Sequence, residues 1–206
     1  MEKLIKGLHK FQTEVFPIQK DFYANLTKGQ NPETLFITCS DSRINPNLVT
    51  SADPGDMFIL RNAGNIIPPH GTGGGEAATL EFAIIVLKVK HIILCGHSHC
   101  GALQAVFDVN KLEKQKDLKQ WIETYVSPTL ELIKERYLVT NKVTIEDILL
   151  QEHVLQQIEN LKTYPFIIDA LAQQEINLHA WIYKFEHGDI FSYNQSSEQF
   201  ECIKHF

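Results

Sequence analysis

The amino-acid sequence predicts an α/β fold with a mostly parallel central β-sheet, flanking helices and an N-terminal helical arm. Three short, uninterrupted apolar runs, at 35–38, 57–60 and 92–95, are typical of strands buried on both faces of a parallel sheet. Between the second and third runs, residues 76–88 have helical periodicity. Their apolar face consists of Leu80, Ala83, Ile84 and Leu87. The order strand, helix, strand indicates a crossover, the connection that parallel strands require.

An N-terminal arm precedes the first of these strands. Its apolar residues recur at helical intervals, and Pro17 divides the stretch into two helices. These apolar residues are Leu4, Leu8, Phe11, Phe16, Phe22 and Leu26. We expect the arm, residues 1–28, to pack on the main body or on a second subunit. Residues 29–206 are then the α/β core of one domain that spans 1–206.

The sequence after the third strand predicts more helices and a final hairpin. The expected elements are a short helix at 101–107, a solvated connection at 110–119, helices at 121–137 and 144–161, and strands at 177–185 and 190–193. Pro165 is expected to end the helical region near Tyr164. The dipeptide Gly188-Asp189 supplies the turn between the last two strands.

Length and composition favour one domain and exclude two classes of partner. A chain of 206 residues with 44% hydrophobic content can bury a full core. The net charge of -6 and the absence of long basic runs argue against nucleic acid and anionic membranes as partners. No apolar run approaches the roughly 18 to 20 residues of a membrane span, and the N-terminal stretch lacks a signal-peptide core. We therefore expect a cytoplasmic protein.

Two polar clusters follow predicted strands and supply metal-binding side chains. The sequence Cys-Ser-Asp-Ser-Arg occupies 39–43, and His-Ser-His-Cys occupies 97–100. The carboxyl ends of parallel strands are where α/β folds place their sites. Two thiolates and one imidazole suit zinc, and three protein ligands leave the fourth tetrahedral position open, as in catalytic sites. His99 is an alternative ligand to His97; the His-x-x-Cys spacing favours His97.

The first cluster also holds an acidic and a basic side chain two residues apart. Arg43 can hold the Asp41 carboxylate in a bidentate pair and keep it ionised. Such a pair can orient a nucleophile at the metal. The alternative is an ordinary salt bridge within a loop.

Other cysteines, histidines and glycines have simpler interpretations. Cys95 and Cys202 are expected to be ordinary apolar residues. His70 is a candidate proton shuttle. The glycine cluster at 71–75 does not predict a phosphate-binding loop, because no Lys-Ser or Lys-Thr follows it. Without metal, the two cluster cysteines would be neighbouring thiols, so we expect reversible inactivation by oxidation.

Five segments together make the sequence resemble the β-class carbonic anhydrases, most nearly their plant-like and cyanobacterial carboxysomal branch. The segments are Cys-Ser-Asp-Ser-Arg at 39–43, Arg-Asn-Ala-Gly-Asn at 61–65, residues 73–82, Gly-His-Ser-His-Cys-Gly at 96–101 and His-Ala-Trp-Ile-Tyr at 179–183. The resemblance implies Zn²⁺ bound by Cys39, His97 and Cys100. It also implies an Asp41 and Arg43 dyad and reversible hydration of CO2 to bicarbonate by zinc-bound hydroxide.

The resemblance further implies a substrate pocket and an assembly. The pocket residues would be Gln30, Phe58, Ala63, Gly64 and Phe82. The plant enzymes have tyrosine where this chain has Phe82, so a hydroxyl is absent from the pocket. The family implies a homodimer or higher homo-oligomer, with N-terminal helices wrapped around the partner and the active-site cleft at the subunit interface.

Two departures from family patterns concern regulation and location. Some bacterial members close their site by binding bicarbonate beside a tryptophan and a glycine, at the positions of Phe36 and Thr38 here. We therefore expect no such bicarbonate lock. Carboxysomal relatives extend past the end of this chain. Carboxysome targeting is therefore an alternative that the sequence alone does not support. Two alternative functions remain at this point: hydrolysis of carbon disulfide or carbonyl sulfide on the same fold, and a non-catalytic scaffold that binds zinc or bicarbonate.

Overall fold

A six-stranded sheet forms the centre of the fold. The computed structural model of the chain describes residues 1–137 and 142–203, without the side chains of 142–144. The strands are β1 (Thr34–Cys39), β2 (Met57–Asn62), β3 (His91–His97), β4 (Asn177–Lys184), β5 (Asp189–Asn194) and β6 (Gln199–Cys202). Their order across the sheet is β2-β1-β3-β4-β5-β6. The first four strands of that order are parallel, and β5 and β6 are antiparallel to their neighbours.

The described residues also form nine α-helices. They are α1 (Glu2–Lys10), α2 (Lys20–Leu26), α3 (Pro46–Thr50), α4 (Gly75–Glu81), α5 (Gly101–Gln104), α6 (Lys116–Tyr125), α7 (Ser127–Arg136), α8 (Lys142–Leu161) and α9 (Pro165–Ala172). The predicted α/β class, with a mostly parallel sheet and flanking helices, is confirmed.

The chain divides into two compact units, Met1–Asn31 and Pro32–Phe206. In the first unit a π-helical turn, Phe11–Val15, continues α1, and Pro17 lies in the break before α2. The ring of Tyr23 packs against Phe11 and Phe16 at 5.6 and 5.4 Å between ring centroids. The two helices of the arm are thus as predicted.

The parallel strands are buried on both faces because side chains alternate between two apolar layers. Leu35 and Ile37 of β1 join the main core, whereas Phe36 between them joins a smaller cluster with Ile93 and Cys95. All three β1 side chains are fully buried. A strand that is covered on both sides has no polar face, and this is why its sequence is a continuous apolar run.

Three predictions in the C-terminal half were wrong. The expected connection at 110–119 is largely helical: its first residues belong to a 3₁₀ segment, Ala105–Leu112, and its last residues belong to α6. The expected helix at 121–137 is two helices that meet at Val126, because Pro128 lies in the first turn of α7 and cannot continue a preceding helix. Pro165 starts α9 rather than ending the region, since proline favours the first helical turn. Strand β6 was not predicted.

Within 1–137 and 142–203, no helix combines the length and apolarity needed to cross a bilayer.

Candidate metal centre

Three side chains with soft or imidazole donors meet at one edge of the sheet. Cys39 ends β1, His97 ends β3, and Cys100 directly precedes α5. Because β1 and β3 are parallel neighbours, their carboxyl ends reach the same edge. The donor atoms of all three residues lie within 4.8 Å of one another, and all three residues are buried. No other group of this kind occurs among the residues that the structure describes.

The two sulfur atoms have the separation that a tetrahedral zinc site requires. Sγ of Cys39 lies 3.8 Å from Sγ of Cys100. Two sulfurs that each bind one tetrahedral zinc at about 2.3 Å are about 3.8 Å apart. The separation of the two sulfurs is therefore compatible with a tetrahedral zinc site.

The His97 ring is in the tautomer that binds metals. Its Nδ1 lies 2.8 Å from the carbonyl oxygen of Ser98, and because that oxygen can only accept, Nδ1 carries the proton. Nε2 therefore carries no proton, and its lone pair can bind a metal ion. It is buried and has no hydrogen-bond partner in the described structure. A buried polar atom without a partner calls for an explanation, and a metal ion bound there would supply one.

Hydrogen bonds favour the thiolate form of Cys39. The pKa of Cys39 is lowered, chiefly by the hydrogen bond with Cys100 and further by the amides of Gly64 and Asp41. The two amide nitrogens lie 3.3 and 3.4 Å from Sγ of Cys39. The same pairing raises the pKa of Cys100.

Asp41 and Arg43 form a rigid pair beside this cluster. Oδ1 of Asp41 accepts from Nε of Arg43 at 3.0 Å and from its backbone N at 2.9 Å, and Oδ2 accepts from Nη2 at 2.7 Å. These bonds hold the pKa of Asp41 well below its usual range. Oδ2 also lies 4.0 Å from Nε2 of His97. An ionised carboxylate therefore faces the donor atoms.

Arg43 is itself fixed by two further contacts. Its Nη2 donates to the carbonyl oxygen of His99 at 2.9 Å, and its guanidinium lies 4.8 Å from the centroid of the Phe185 ring. Phe185 also packs against His97, with 5.0 Å between ring centroids. The pair is thus tied to the segment that carries His97 and Cys100.

His99 does not join the cluster. Its Nε2 pairs with Oε1 of Glu186 at 2.6 Å. His70, the shuttle candidate, packs on the Tyr164 ring at 5.4 Å, and its amide donates to Oγ1 of Thr163. Cys95 is fully buried, and burial raises its pKa to about 12, as suits an apolar residue.

The expected pocket residues have varied surroundings. Phe58 and Phe82 pack together, with 5.7 Å between ring centroids, and Phe82 is partly exposed. The carbonyl oxygen of Ala63 accepts from Nε1 of Trp121 at 2.9 Å. The amide of Gly64 faces Cys39. Gln30 belongs to the N-terminal unit, Met1–Asn31.

Sequence reasoning missed the role of Arg61 at this site. Its guanidinium donates to the backbone oxygens of Cys39, Asp41 and Ile44, at 2.9, 2.7 and 3.0 Å. These bonds shape the loop that carries the Asp41 and Arg43 pair. The available signal was an arginine near the end of an otherwise apolar strand, at the edge of the sheet where the two polar clusters meet.

Comparison with known proteins identifies a family. Residues 34–190 match the family model described as carbonic anhydrase. A carbonic anhydrase of Synechococcus elongatus is 43% identical over 199 residues, which are 96% of this chain and 73% of the relative. One of Pseudomonas aeruginosa is 35% identical over 98% of this chain and 92% of the relative.

Solved structures agree with the sequence relatives. The β-carbonic anhydrase CcaA is 39% identical, with a TM-score of 0.94 and coverage of 98% of both chains. A structure described as tetrameric, from Sordaria macrospora, is 28% identical, with a TM-score of 0.79 over 93% of this chain and 95% of the other. The prediction of a carbonic anhydrase is thereby confirmed: the chain belongs to the carbonic anhydrase family, in its β class.

Proposed function

We propose that the chain binds one Zn²⁺ through Cys39, His97 and Cys100 and catalyses the reversible hydration of CO2 to bicarbonate and a proton. The observation that carries this proposal is the buried cluster of two sulfurs and one unpartnered imidazole nitrogen, within 4.8 Å of one another. Three protein donors leave a fourth tetrahedral position, which distinguishes catalytic zinc sites from closed structural ones. When bound, zinc supplies the Lewis acidity that lets water lose a proton near neutral pH.

The role proposed for Asp41 follows from its charge and its fixed position. Its carboxylate accepts hydrogen bonds only, because Arg43 keeps it ionised. Oδ2 keeps one lone pair free after the bond from Arg43, and it faces the donor atoms of the cluster. It can therefore accept a hydrogen bond from water or hydroxide beside the cluster and so direct an oxygen lone pair toward CO2. A purely structural zinc site would need no such carboxylate.

The substrate pocket is proposed from the resemblance together with local chemistry. Phe58, Ala63, Gly64 and Phe82 offer apolar or backbone surface, which suits a small apolar molecule such as CO2. Gln30 would supply an amide to bicarbonate. The missing hydroxyl at Phe82 removes one polar contact that the plant enzymes have.

We also infer a cytoplasmic homodimer or larger homo-oligomer. Exposed apolar side chains of the N-terminal unit, among them Leu4, Ile5 and Leu8, support an interface between copies. The tetrameric relative from Sordaria macrospora is consistent with this. The need for reduced zinc-binding thiols suits the cytoplasm. Light scattering after gel filtration tests the assembly, and a monomeric mass at micromolar concentration would contradict it.

The function is tested by zinc content and stopped-flow CO2 hydration of the purified protein. We expect one zinc per chain and hydration above the uncatalysed rate. Cys39→Ser should lose both, whereas Cys202→Ser, which alters a cysteine outside the cluster, should keep both. Full zinc content without hydration at any pH would indicate a scaffold. Sulfide release from carbonyl sulfide in place of CO2 hydration would indicate the hydrolase.

A further inference from the structure

Helix α8 carries three buried polar side chains on one face. They are His153, Gln157 and Asn160, spaced four and three residues apart, so that they lie along one side of the helix. His153 and Gln157 are fully buried and Asn160 is 9% exposed. Buried polar groups are costly unless they are hydrogen-bonded, so this row indicates a specific set of partners.

The partners are backbone groups of the loop that follows β2. Nε2 of His153 donates to the carbonyl oxygen of Gly64 at 2.8 Å. Oε1 of Gln157 accepts from the amide of Ile67 at 2.8 Å, and Nδ2 of Asn160 donates to the carbonyl oxygen of Ile67 at 2.8 Å. The helix thus holds this loop at two points.

The tautomer of His153 is fixed by these contacts. A carbonyl oxygen can only accept, so Nε2 carries the proton and Nδ1 is free to accept from Nε2 of Gln157 at 3.5 Å. Burial lowers the pKa of His153 to about 4, so the ring is neutral near pH 7. His153 is therefore a constant donor to Gly64.

Gly64 connects His153 to the cluster of Cys39, His97 and Cys100. Its carbonyl oxygen accepts from His153, while its own amide donates to Sγ of Cys39 at 3.3 Å. Its φ of +88° lies in the left-handed region, and an added Cβ would meet Cβ of Ala102 at 3.2 Å. The backbone at this position is thus closely confined and bonded on both sides.

We propose that His153 is a positioning residue: through Gly64 it holds the amide that bonds Cys39, and so sets how much charge that thiolate gives to a bound metal. An N–H bond to a thiolate withdraws charge from sulfur, and outer partners of metal ligands commonly tune affinity and activity in this way. The inference rests on the proposed function only in that it assigns zinc to the cluster of Cys39, His97 and Cys100.

The test replaces His153 with methionine, which fills the space of the ring but cannot donate. In His153→Met, the zinc dissociation constant, measured by competition with a chelating dye, should rise about tenfold. In the Co²⁺-substituted protein, the thiolate-to-cobalt charge-transfer band should move to lower energy, because a thiolate without its hydrogen bond gives up charge more easily. His153→Gln should restore both values, since the terminal amide nitrogen of glutamine replaces Nε2 of the ring.

A matched control separates positioning from stability. Leu161 is fully buried on the same helix. Leu161→Ala should lower thermal stability but leave zinc affinity and the cobalt band unchanged. If His153→Met does not fold, Gln157→Met removes the amide beside Nδ1 and should shift the band in the same direction by less. An unchanged band and affinity in a folded variant would overturn the proposal.

These readouts do not depend on CO2 turnover. If the wild-type protein fails to hydrate CO2 while the cobalt band still responds to His153, the proposed function fails and the positioning role stands. If hydration is present and the band does not respond, only the positioning role fails.

Discussion

Oδ2 of Asp41 lies 4.0 Å from Nε2 of His97, while Arg43 donates to both oxygens of the same carboxylate. An ionised acceptor therefore faces the donor atoms of the cluster and cannot turn away without breaking its bonds to Arg43. This relationship gives a direct prediction for a variant that keeps the shape of the side chain and removes its charge.

Asp41→Asn should lower CO2 hydration at least tenfold with zinc content unchanged. The amide oxygen is a weaker hydrogen-bond acceptor than the ionised carboxylate, and loss of one preorganised polar contact to the reacting atoms commonly costs on the order of 10²- to 10³-fold. Stopped-flow hydration and metal analysis of the same sample measure the two quantities. Asp117→Asn, at an exposed position in α6, is the control and should behave as wild type. Full activity of Asp41→Asn would exclude the proposed role.

Arg43→Lys should lower kcat several-fold although the positive charge is kept. Lysine is a point donor and cannot hold both oxygens of Asp41 as the planar guanidinium does. Because Arg43 acts through Asp41, the double variant should be no slower than Asp41→Asn alone. Arg136→Lys, at an exposed position in α7, serves as the control. Additive losses in the double variant would show that Arg43 has a role independent of Asp41.

The sequence could predict five of the six strands and the meeting of the two polar clusters. Continuous apolar runs mark β1 and β3, and parallel neighbours end at the same edge, so Cys39 and the segment 97–100 had to approach each other. His97 rather than His99 is the candidate ligand for two reasons. Nε2 of His97 lies in the cluster without a hydrogen-bond partner, and the ring of His99 is paired with Glu186. Neither follows from spacing.

The missed features depend on contacts between distant residues. His153 bonds Gly64, which lies 89 positions away, and no local pattern indicates this partner. Pro165 was interpreted as a break, whereas it occupies the first turn of α9. A proline can end a helical region or occupy the first turn of a new helix. Only the packing of the following residues determines which of the two occurs. The polar composition of 110–119 likewise predicted a connection, so the start of α6 at Lys116 was not predicted.

Oxidation should prevent the metal-free protein from binding zinc again but should leave the zinc-loaded protein active. Without zinc, the Cys39 thiolate lies 3.8 Å from Sγ of Cys100, so a two-electron oxidant can join them as a disulfide. We expect loss of zinc rebinding after treatment with diamide and recovery with dithiothreitol, measured by metal titration and by the loss of two hydrogens in mass. Cys95→Ser is the control, because Cys95 is fully buried with a raised pKa. Unaltered rebinding after oxidation would refute this prediction.

Acid should destabilise the protein partly through His153. Burial lowers its folded-state pKa from 6.5 to about 4, so between these values the unfolded chain binds a proton that the folded chain does not. The free energy of unfolding therefore falls as pH falls through this window, by up to about 1.4 kcal/mol per pH unit. From pH 7 to pH 5, wild type should lose roughly 2 kcal/mol more than His153→Gln in urea unfolding.

The exposed His187 provides the comparison for this pH effect. His187→Gln should retain the wild-type dependence of unfolding free energy on pH. If His153→Gln and wild type show the same slope between pH 7 and pH 5, His153 is not the buried neutral group that its contacts indicate.

Gly96→Ala should destabilise the fold next to the cluster of Cys39, His97 and Cys100. A Cβ at Gly96 would meet Cγ2 of Val154 at 2.6 Å and Cδ1 of Leu150 at 2.9 Å, and both side chains belong to α8. Overpacking of this kind costs about 1–3 kcal/mol, which urea unfolding measures. Gly7→Ala, in α1 with open space around it, should be neutral or stabilising.

The same variant also tests how α8 is linked to the cluster. If α8 moves away from β3 to admit the new methyl group, His153 moves with it, and its bond to Gly64 lengthens. Zinc affinity should then fall together with stability in Gly96→Ala. A loss of stability with unchanged zinc affinity would mean that the side chains of Val154 and Leu150 absorb the methyl group locally and that the helix backbone stays in place.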